Sequence, residues 1–282
     1  REYHDVEYWT RKAINEILNL FEKQPTLEKK VSSLHNLTVE YKSIPLLAGA
    51  VQNRIGELYY TANEDLLAKE AYKRTIDQFS QAESEKLSAQ FALARIYAEE
   101  ENFEMSLSLY QQISEDSQAL EENILQAKSG YVRKSVEKGL WEMRVGEMKL
   151  AVKTFLKLIE FSPVTTAAHR GYIQSQSALK KIAQVVAFYK ARAAGTPKSA
   201  VDHYALGLAY TYLEPPELGA AEMEVGEALV LDSQDVYFHQ TLGWLYEQKE
   251  RAKKNEGYLE RALQEYQVAL ALNDDQIDPD NR

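Results

Sequence analysis

A short pattern recurs along this chain: Leu or Ile, then a small residue, then Tyr three positions after the small residue. The small residue lies at Gly56, Ala94, Gly139, Gly171, Gly207 and Gly243, and the pattern is weaker at the third and fourth of these. The last two glycines are 36 residues apart. Self-similarity with a period of about 20 to 50 residues is typical of stacked units that bury their apolar faces only against each other. The sequence therefore indicates an array of repeats.

Each small residue is followed by a second segment with small, aromatic and apolar positions. In three units the first small residue of this segment comes 12 positions after the pattern residue, at Ala68, Ser106 and Ala151. A glycine or alanine lets a second helix approach closely, and a large ring such as Tyr72 or Phe155 fills the space beside it. The pattern predicts helical hairpins.

The proline and glycine content also favours an all-α fold. The chain has 282 residues but only 7 prolines and 12 glycines, so few tight turns are available for a β-sandwich. All the prolines fall between stretches in which apolar residues recur every three or four positions, which is helical spacing. We expect helices separated by proline-marked breaks.

These features resemble the tetratricopeptide repeat (TPR), a helix–turn–helix unit of about 34 residues. The resemblance implies an all-α, right-handed α-solenoid with about six degenerate repeats in residues 45–274. We expect one superhelical domain over 1–282, with irregular N-terminal helices in 1–44 and a C-terminal turn or truncated next repeat in 275–282.

Two units depart from the regular length. Ala94 and Gly139 are 45 residues apart, so this unit has either a longer first helix or a longer connection. The last unit contains an insertion of 7 residues, which we place in 249–257.

Composition and motifs argue against most chemical functions. The chain has no cysteine, which excludes disulfides, zinc ribbons, iron–sulfur clusters and thiol nucleophiles. Its formal charge of −10 disfavours nucleic acid as a partner. Phosphate-binding loops, nucleophile elbows and metal-binding helix motifs are missing from the sequence. We expect no enzyme activity, no cofactor and no metal site.

His203 and His239 each precede a repeat glycine by four residues, and we expect them to pack or hydrogen-bond inside their helices.

The sequence leaves the cellular compartment open. No apolar run approaches the ~20 residues that cross a bilayer, and no signal-peptide pattern opens the chain, so we expect a soluble protein without direct membrane insertion. The chain begins with Arg1, and we interpret it as a segment of a longer protein, either cytoplasmic or periplasmic.

The TPR resemblance also implies where a partner binds, because first helices in that family line a concave groove. Counting from the repeat glycines places one set of mostly aromatic residues there: Tyr60, Phe91, Arg95, Tyr172, Tyr204, Tyr212 and Trp244, with Tyr237 nearby. Arg95, Arg133 and Arg144 form a predicted central basic patch for an acidic group. Of the residues expected in a chaperone carboxylate clamp, only Asn53 and Arg95 are present, which disfavours that function.

Two functional hypotheses follow. The preferred one is a non-catalytic scaffold whose concave, aromatic-lined groove binds a peptide or helix of a partner protein, since Tyr and Trp dominate binding hot spots. The alternative is a structural or self-associating segment of a longer repeat array, in which the same rings contact other repeats.

Overall fold

A computed structural model describes residues 2–116, 119–252 and 257–276, and all regular secondary structure within them is α-helical. The helices are α1 (Glu2–Glu22), α2 (Leu27–Glu40), α3 (Pro45–Thr61), α4 (Asp65–Gln78), α5 (Glu83–Glu99), α6 (Phe103–Glu115), α7 (Glu121–Arg144), α8 (Met148–Phe161), α9 (Thr166–Ala178), α10 (Ile182–Gly195), α11 (Ala200–Thr211), α12 (Leu218–Leu231), α13 (Val236–Ala252) and α14 (Tyr258–Gln276). The all-α prediction is confirmed.

Four of the turns inside the hairpins share one geometry. In each, the second residue after the end of the first helix has a positive φ: Asn63 at 59°, Glu101 at 58°, Gly146 at 86° and Lys180 at 58°. The residue after each of these donates its backbone N–H to the carbonyl five positions earlier, with N···O distances of 2.8 to 2.9 Å. A left-handed residue followed by this bond closes a helix and satisfies its last carbonyls. The repeated turn therefore fixes the short connection between the paired helices.

The chain forms two compact units, residues 1–134 and 135–282. In the first unit the close crossings are those that the sequence predicts. A Cβ on Gly56 of α3 would lie 2.7 Å from the Tyr72 ring of α4, so only a glycine admits that buried ring. Tyr72 packs with Leu93 and Ile96 of α5, which joins this hairpin to the next.

In the second unit, consecutive helices pack in the same way. Phe155 of α8 is fully buried, and its ring tip abuts Gly139 of α7 and Gly171 of α9. Gly243 of α13 lies against Tyr266 of α14 in the same manner. The predicted helical hairpins with small residues at their crossings are thus confirmed.

The long step between Ala94 and Gly139 has a simple cause. Helix α7 is 24 residues long and carries two glycines, Gly130 facing Tyr110 of α6 and Gly139 facing Phe155. The longer first helix, and not a longer connection, accounts for the spacing.

The ends of the chain contain regular helices. The helices expected in residues 1–44 are α1 and α2, and they bury Ile14, Leu18 and Leu34 against α3. Helix α14 continues to Gln276, and the rest of the predicted C-terminal turn, 277–282, lies outside the described residues, as do 253–256 of the predicted insertion. The single superhelical domain stays a prediction.

Candidate partner-binding groove

A cavity of about 550 Å³ opens on the second unit between its first helices. It is lined by Arg170 of α9, Leu208, Thr211 and Tyr212 of α11 and its end, Gln240, Thr241 and Trp244 of α13, and Tyr266 of α14. We call this cavity the groove. Aromatic rings, one aliphatic side chain, neutral polar groups and a single cation share its wall. This mixture is typical of sites that bind a ligand with both apolar and polar parts.

The repeat pattern explains why these residues face the groove. Gly207 and Gly243 point at the second helices of their hairpins, toward Val225 and Tyr266. Successive residues of a helix are rotated by about 100°, so the residue that follows each glycine turns away from the second helix. These residues are Leu208 and Trp244, and both line the groove.

The floor of the groove is a hydrogen-bonded network around Tyr204. Its ring is fully buried and stacks on Phe238, with 4.6 Å between centroids. The Arg170 guanidinium donates to the Tyr204 hydroxyl at 2.8 Å, and that hydroxyl lies 3.3 Å from the Thr241 hydroxyl. The guanidinium also lies over the ring of Tyr237, 4.6 Å from its centroid. Three helices therefore hold Arg170 in place.

Burial controls the ionisation of the floor. Burial raises the pKa of Tyr204 to about 12, although the Arg170 charge and the hydrogen bonds from Thr241 and Arg170 oppose the shift. The phenol is therefore neutral at physiological pH. Burial lowers the pKa of Arg170, but the surrounding Tyr204, Tyr237 and Tyr212 raise it and the net shift is upward. Arg170 is thus a permanent cation.

A second contact ties the start of α9 directly to α13. The Thr166 hydroxyl donates to the carboxylate of Asp235, which also accepts the Tyr237 backbone N–H at 2.8 Å. Burial raises the pKa of Asp235 in spite of these bonds. Together with the Arg170 contact to Tyr237, this bond links two hairpins that are not neighbours in sequence.

The predicted site residues of the second unit occupy two levels. Tyr212 and Trp244 line the groove, and the Trp244 side chain is 37% exposed. Tyr237 lies under Arg170. Tyr172 is 7% exposed and packs edge-on against aromatic rings of α10, while Tyr204 has no exposed surface. Tyr204 therefore supports Arg170 from below, whereas Tyr172 packs against α10, and neither ring presents a large contact surface.

In the first unit the predicted residues form a smaller cluster. The Arg95 guanidinium lies 4.4 Å from the centroid of the Tyr60 ring. The Tyr60 hydroxyl donates to the Glu99 carboxylate at 2.9 Å, and burial followed by this bond raises the pKa of Tyr60. Phe91 is half-buried and tilts against Tyr110, with ring centroids 6.1 Å apart.

The predicted basic patch is distributed over both units. Arg95 and Arg133 lie in the first and Arg144 in the second, and all three are exposed. Their joint use by one ligand stays a prediction. Arg170 is not among the sequence-predicted residues, because the predicted groove positions are the third before and the first, fourth and fifth after each glycine, whereas Arg170 directly precedes Gly171.

Three histidines repeat one bonding arrangement at the entry to α9, α11 and α13. His169, His203 and His239 each bond through Nε2 to the backbone carbonyl six residues earlier, at 2.9, 3.2 and 3.1 Å. Their Nδ1 atoms bond to the second helix of the hairpin, at Tyr189, Glu224 and Glu265 respectively. His203 and His239 are hydrogen-bonded as expected, but their partners lie outside the first helix, in the preceding turn and in the second helix.

No group of three or more His, Asp or Glu side chains within 2–116, 119–252 and 257–276 is arranged to hold a metal ion. Among the helices of those same segments, none combines the length and the apolar character needed to span a membrane.

Comparison with known proteins gives similarity to solved structures alone. No protein family and no curated relative matches the chain. One similar structure is MamA, residues 41 to end, from Desulfovibrio magneticus RS-1, at 18% identity over 68% of this chain and 98% of that chain, with a TM-score of 0.36. Another is a tetratricopeptide repeat protein from Parabacteroides merdae ATCC 43184, at 12% identity over 92% of this chain and 98% of that chain, with a TM-score of 0.39.

The packing within this chain defines its class. Helical hairpins cross at small residues, four of the turns inside them repeat one geometry, and first helices line a groove. The protein is an all-α helical-repeat protein.

Proposed function

We propose that this chain is a non-catalytic interaction scaffold, and that the groove of its second unit binds a segment of a partner protein. The proposal depends above all on the position of Trp244, a large ring that is 37% exposed beside a cavity of about 550 Å³. Buried Trp and Tyr side chains supply a large contact area for little loss of conformational freedom, and hot spots are enriched in them.

The chemistry of the wall favours a peptide over a reacting small molecule. Leu208 and Trp244 offer an apolar seat, while Gln240 and Thr211 offer neutral donors and acceptors that suit backbone amides. The hydroxyl groups and the guanidinium of the floor are bonded to each other or to rings. These features support binding without catalysis.

A rigid floor also favours binding. Tyr204, Arg170 and Thr241 are fixed by mutual hydrogen bonds before any partner arrives. A preformed site loses little side-chain freedom on association, so more of the contact energy appears as affinity.

The experiment uses a displayed library of random dodecapeptides, selected on the wild-type chain. Affinities of the selected peptides are then measured by fluorescence anisotropy. Trp244→Ala is expected to weaken binding at least tenfold, the size of a hot-spot truncation of about 1.4 kcal/mol. The matched control is Val230→Ala on α12, which removes an 80% exposed side chain outside the groove and is expected to leave affinity unchanged. Peptides that bind both variants equally well would contradict the proposal.

One observation favours the alternative of self-association. Leu259, Leu263 and Leu270 lie along one side of α14 and are 60%, 58% and 62% exposed. In a helical array such a stripe is the surface on which another repeat packs. Sedimentation over a range of concentrations tests it, and a chain that stays monomeric throughout excludes this second function.

A further inference from the structure

Arg170 carries a charge that no carboxylate of the described chain neutralises. Its guanidinium is partly buried, gives one hydrogen bond to the neutral Tyr204 hydroxyl, and rests on the Tyr237 ring. A guanidinium has five N–H donors, and the described residues supply no other acceptor for it. None of its nitrogen atoms is both buried and without a hydrogen-bond partner, so its remaining N–H groups are accessible to a ligand in the groove.

Another arginine of the same unit shows what a balanced one looks like. Arg192 donates to the buried carboxylate of Asp202 at 2.6 Å, with 32% and 3% of the two side chains exposed. The chain has 43 acidic residues against 33 basic ones, so carboxylates are plentiful. At the groove, however, Arg170 is surrounded by phenols.

We infer that Arg170 binds the side-chain carboxylate of an aspartate or glutamate in the partner segment, next to an apolar side chain seated on Leu208 and Trp244. The inference rests on the proposed function of the groove and adds the chemistry that the partner must carry. Planar guanidinium groups pair with carboxylates through two parallel hydrogen bonds, which gives direction as well as strength.

A side-chain carboxylate fits better than the carboxylate of a chain terminus. Arg170 is held down at the floor by the fully buried Tyr204 and by Tyr237. A group that reaches it must extend below the peptide backbone, as the stem of Asp or Glu allows. The α-carboxylate is attached directly to the backbone and lacks that reach.

The test uses two displayed dodecapeptide libraries. In the first, both peptide ends are blocked by fusion, so that side chains supply every carboxylate. In the second, the C-terminus is free and Asp and Glu are omitted. Each library is selected on the wild-type chain, on Arg170→Gln and on Lys190→Gln. Lys190 is exposed on α10 and lies outside the groove, so the last variant is a charge-matched control.

We expect the wild type to enrich Asp or Glu beside an apolar residue from the first library. Arg170→Gln should lose the acidic preference and keep the apolar one, while Lys190→Gln keeps both. For the best peptide, replacing its acidic residue by the amide should weaken wild-type binding about tenfold and leave Arg170→Gln binding unchanged, as for a desolvated charge pair. Raising the salt concentration should weaken wild-type binding and affect Arg170→Gln much less.

Four results separate the inference from the proposed function. Two of them overturn the inference and leave the proposed function standing: selected peptides that depend on Trp244 but show no acidic preference, and an acidic preference that survives Arg170→Gln. Stronger selection from the second library overturns the assignment of the carboxylate to a side chain. Peptides that bind independently of Trp244 overturn the proposed function itself.

Discussion

Replacing Gly139 by alanine tests the packing that defines this fold. A Cβ at this position of α7 would lie 2.5 Å from Cζ and 2.7 Å from Cε1 of Phe155. The ring is fully buried, and its tip also abuts Gly171 of α9, so it cannot swing away from one helix without striking the other. The clash must therefore separate the helices or force the ring out of its rotamer.

The expected magnitude combines two opposing effects. Carbon atoms normally pack about 3.5 to 4.0 Å apart, so the ring or helix must move by about 1 Å. Overpacking of this kind costs about 1 to 3 kcal/mol, while alanine favours a helix over glycine by about 1 kcal/mol. The net loss for Gly139→Ala is about 0 to 2 kcal/mol.

Gly226→Ala is the matched control. Gly226 lies inside α12 of the same unit, and a Cβ there meets no atom within 4 Å. This change keeps the helix-propensity gain without the clash, so it should stabilise the protein by about 0.5 to 1 kcal/mol.

Urea unfolding followed by circular dichroism compares the two variants, which should differ by about 1 to 3 kcal/mol. Adding Phe155→Leu to Gly139→Ala makes the test sharper, because the smaller side chain relieves the clash. The double variant should be more stable than the sum of the single changes predicts, by about 1 kcal/mol. If Gly139→Ala proves as stable as Gly226→Ala, the close crossing of α7 and α8 is not what selects glycine.

Two further predictions concern acid stability and a buried ion pair. Burial lowers the pKa of His169 from 6.5 to about 4, so below pH 6.5 the unfolded chain binds a proton that the folded chain does not. The free energy of unfolding should therefore fall by about 3 kcal/mol between pH 6.5 and pH 4. Urea unfolding at both pH values should show a smaller fall for His169→Gln. Burial raises the pKa of Asp202, but the hydrogen bonds with Arg192, Thr196 and Ser199 outweigh burial and hold that pKa below its usual value. The ionised carboxylate therefore stabilises the fold at neutral pH, and this stabilisation is lost as the pH falls through the folded-state pKa. Asp202→Asn should cost about 2 kcal/mol at pH 7, and an unchanged urea midpoint would contradict the role of this pair.

The hairpins were predictable because their determinants are local. A glycine and its partner ring come from adjacent helices, as Gly56 and Tyr72 do, so a fixed spacing in the sequence marks the crossing. The long helix α7 was open to two interpretations, because a helix can continue through a second glycine such as Gly130 without a signal in spacing alone.

The site was less predictable because its determinants are not local. Leu208 lines the groove because it directly follows Gly207, so rotation around one helix decides its position. Counting from Gly207 predicts Tyr204 as a groove residue, but its ring enters the space beside Phe238 of the next hairpin. The contacts of Arg170 depend on residues of α11 and α13. Side chains that cross between hairpins depend on how neighbouring hairpins pack, which no spacing encodes.

The bonds between α9 and α13 alter how the second unit responds to load. In a simple stack of repeats, each unit touches only the next, so an end can peel off while the rest stays folded. Here Thr166 holds Asp235, and Arg170 rests on Tyr237, across the intervening helix α11. Opening the terminal hairpin must break these long-range ties as well. A protein segment pulling on Trp244 would therefore strain three hairpins together, and release under force should come in one step instead of hairpin by hairpin.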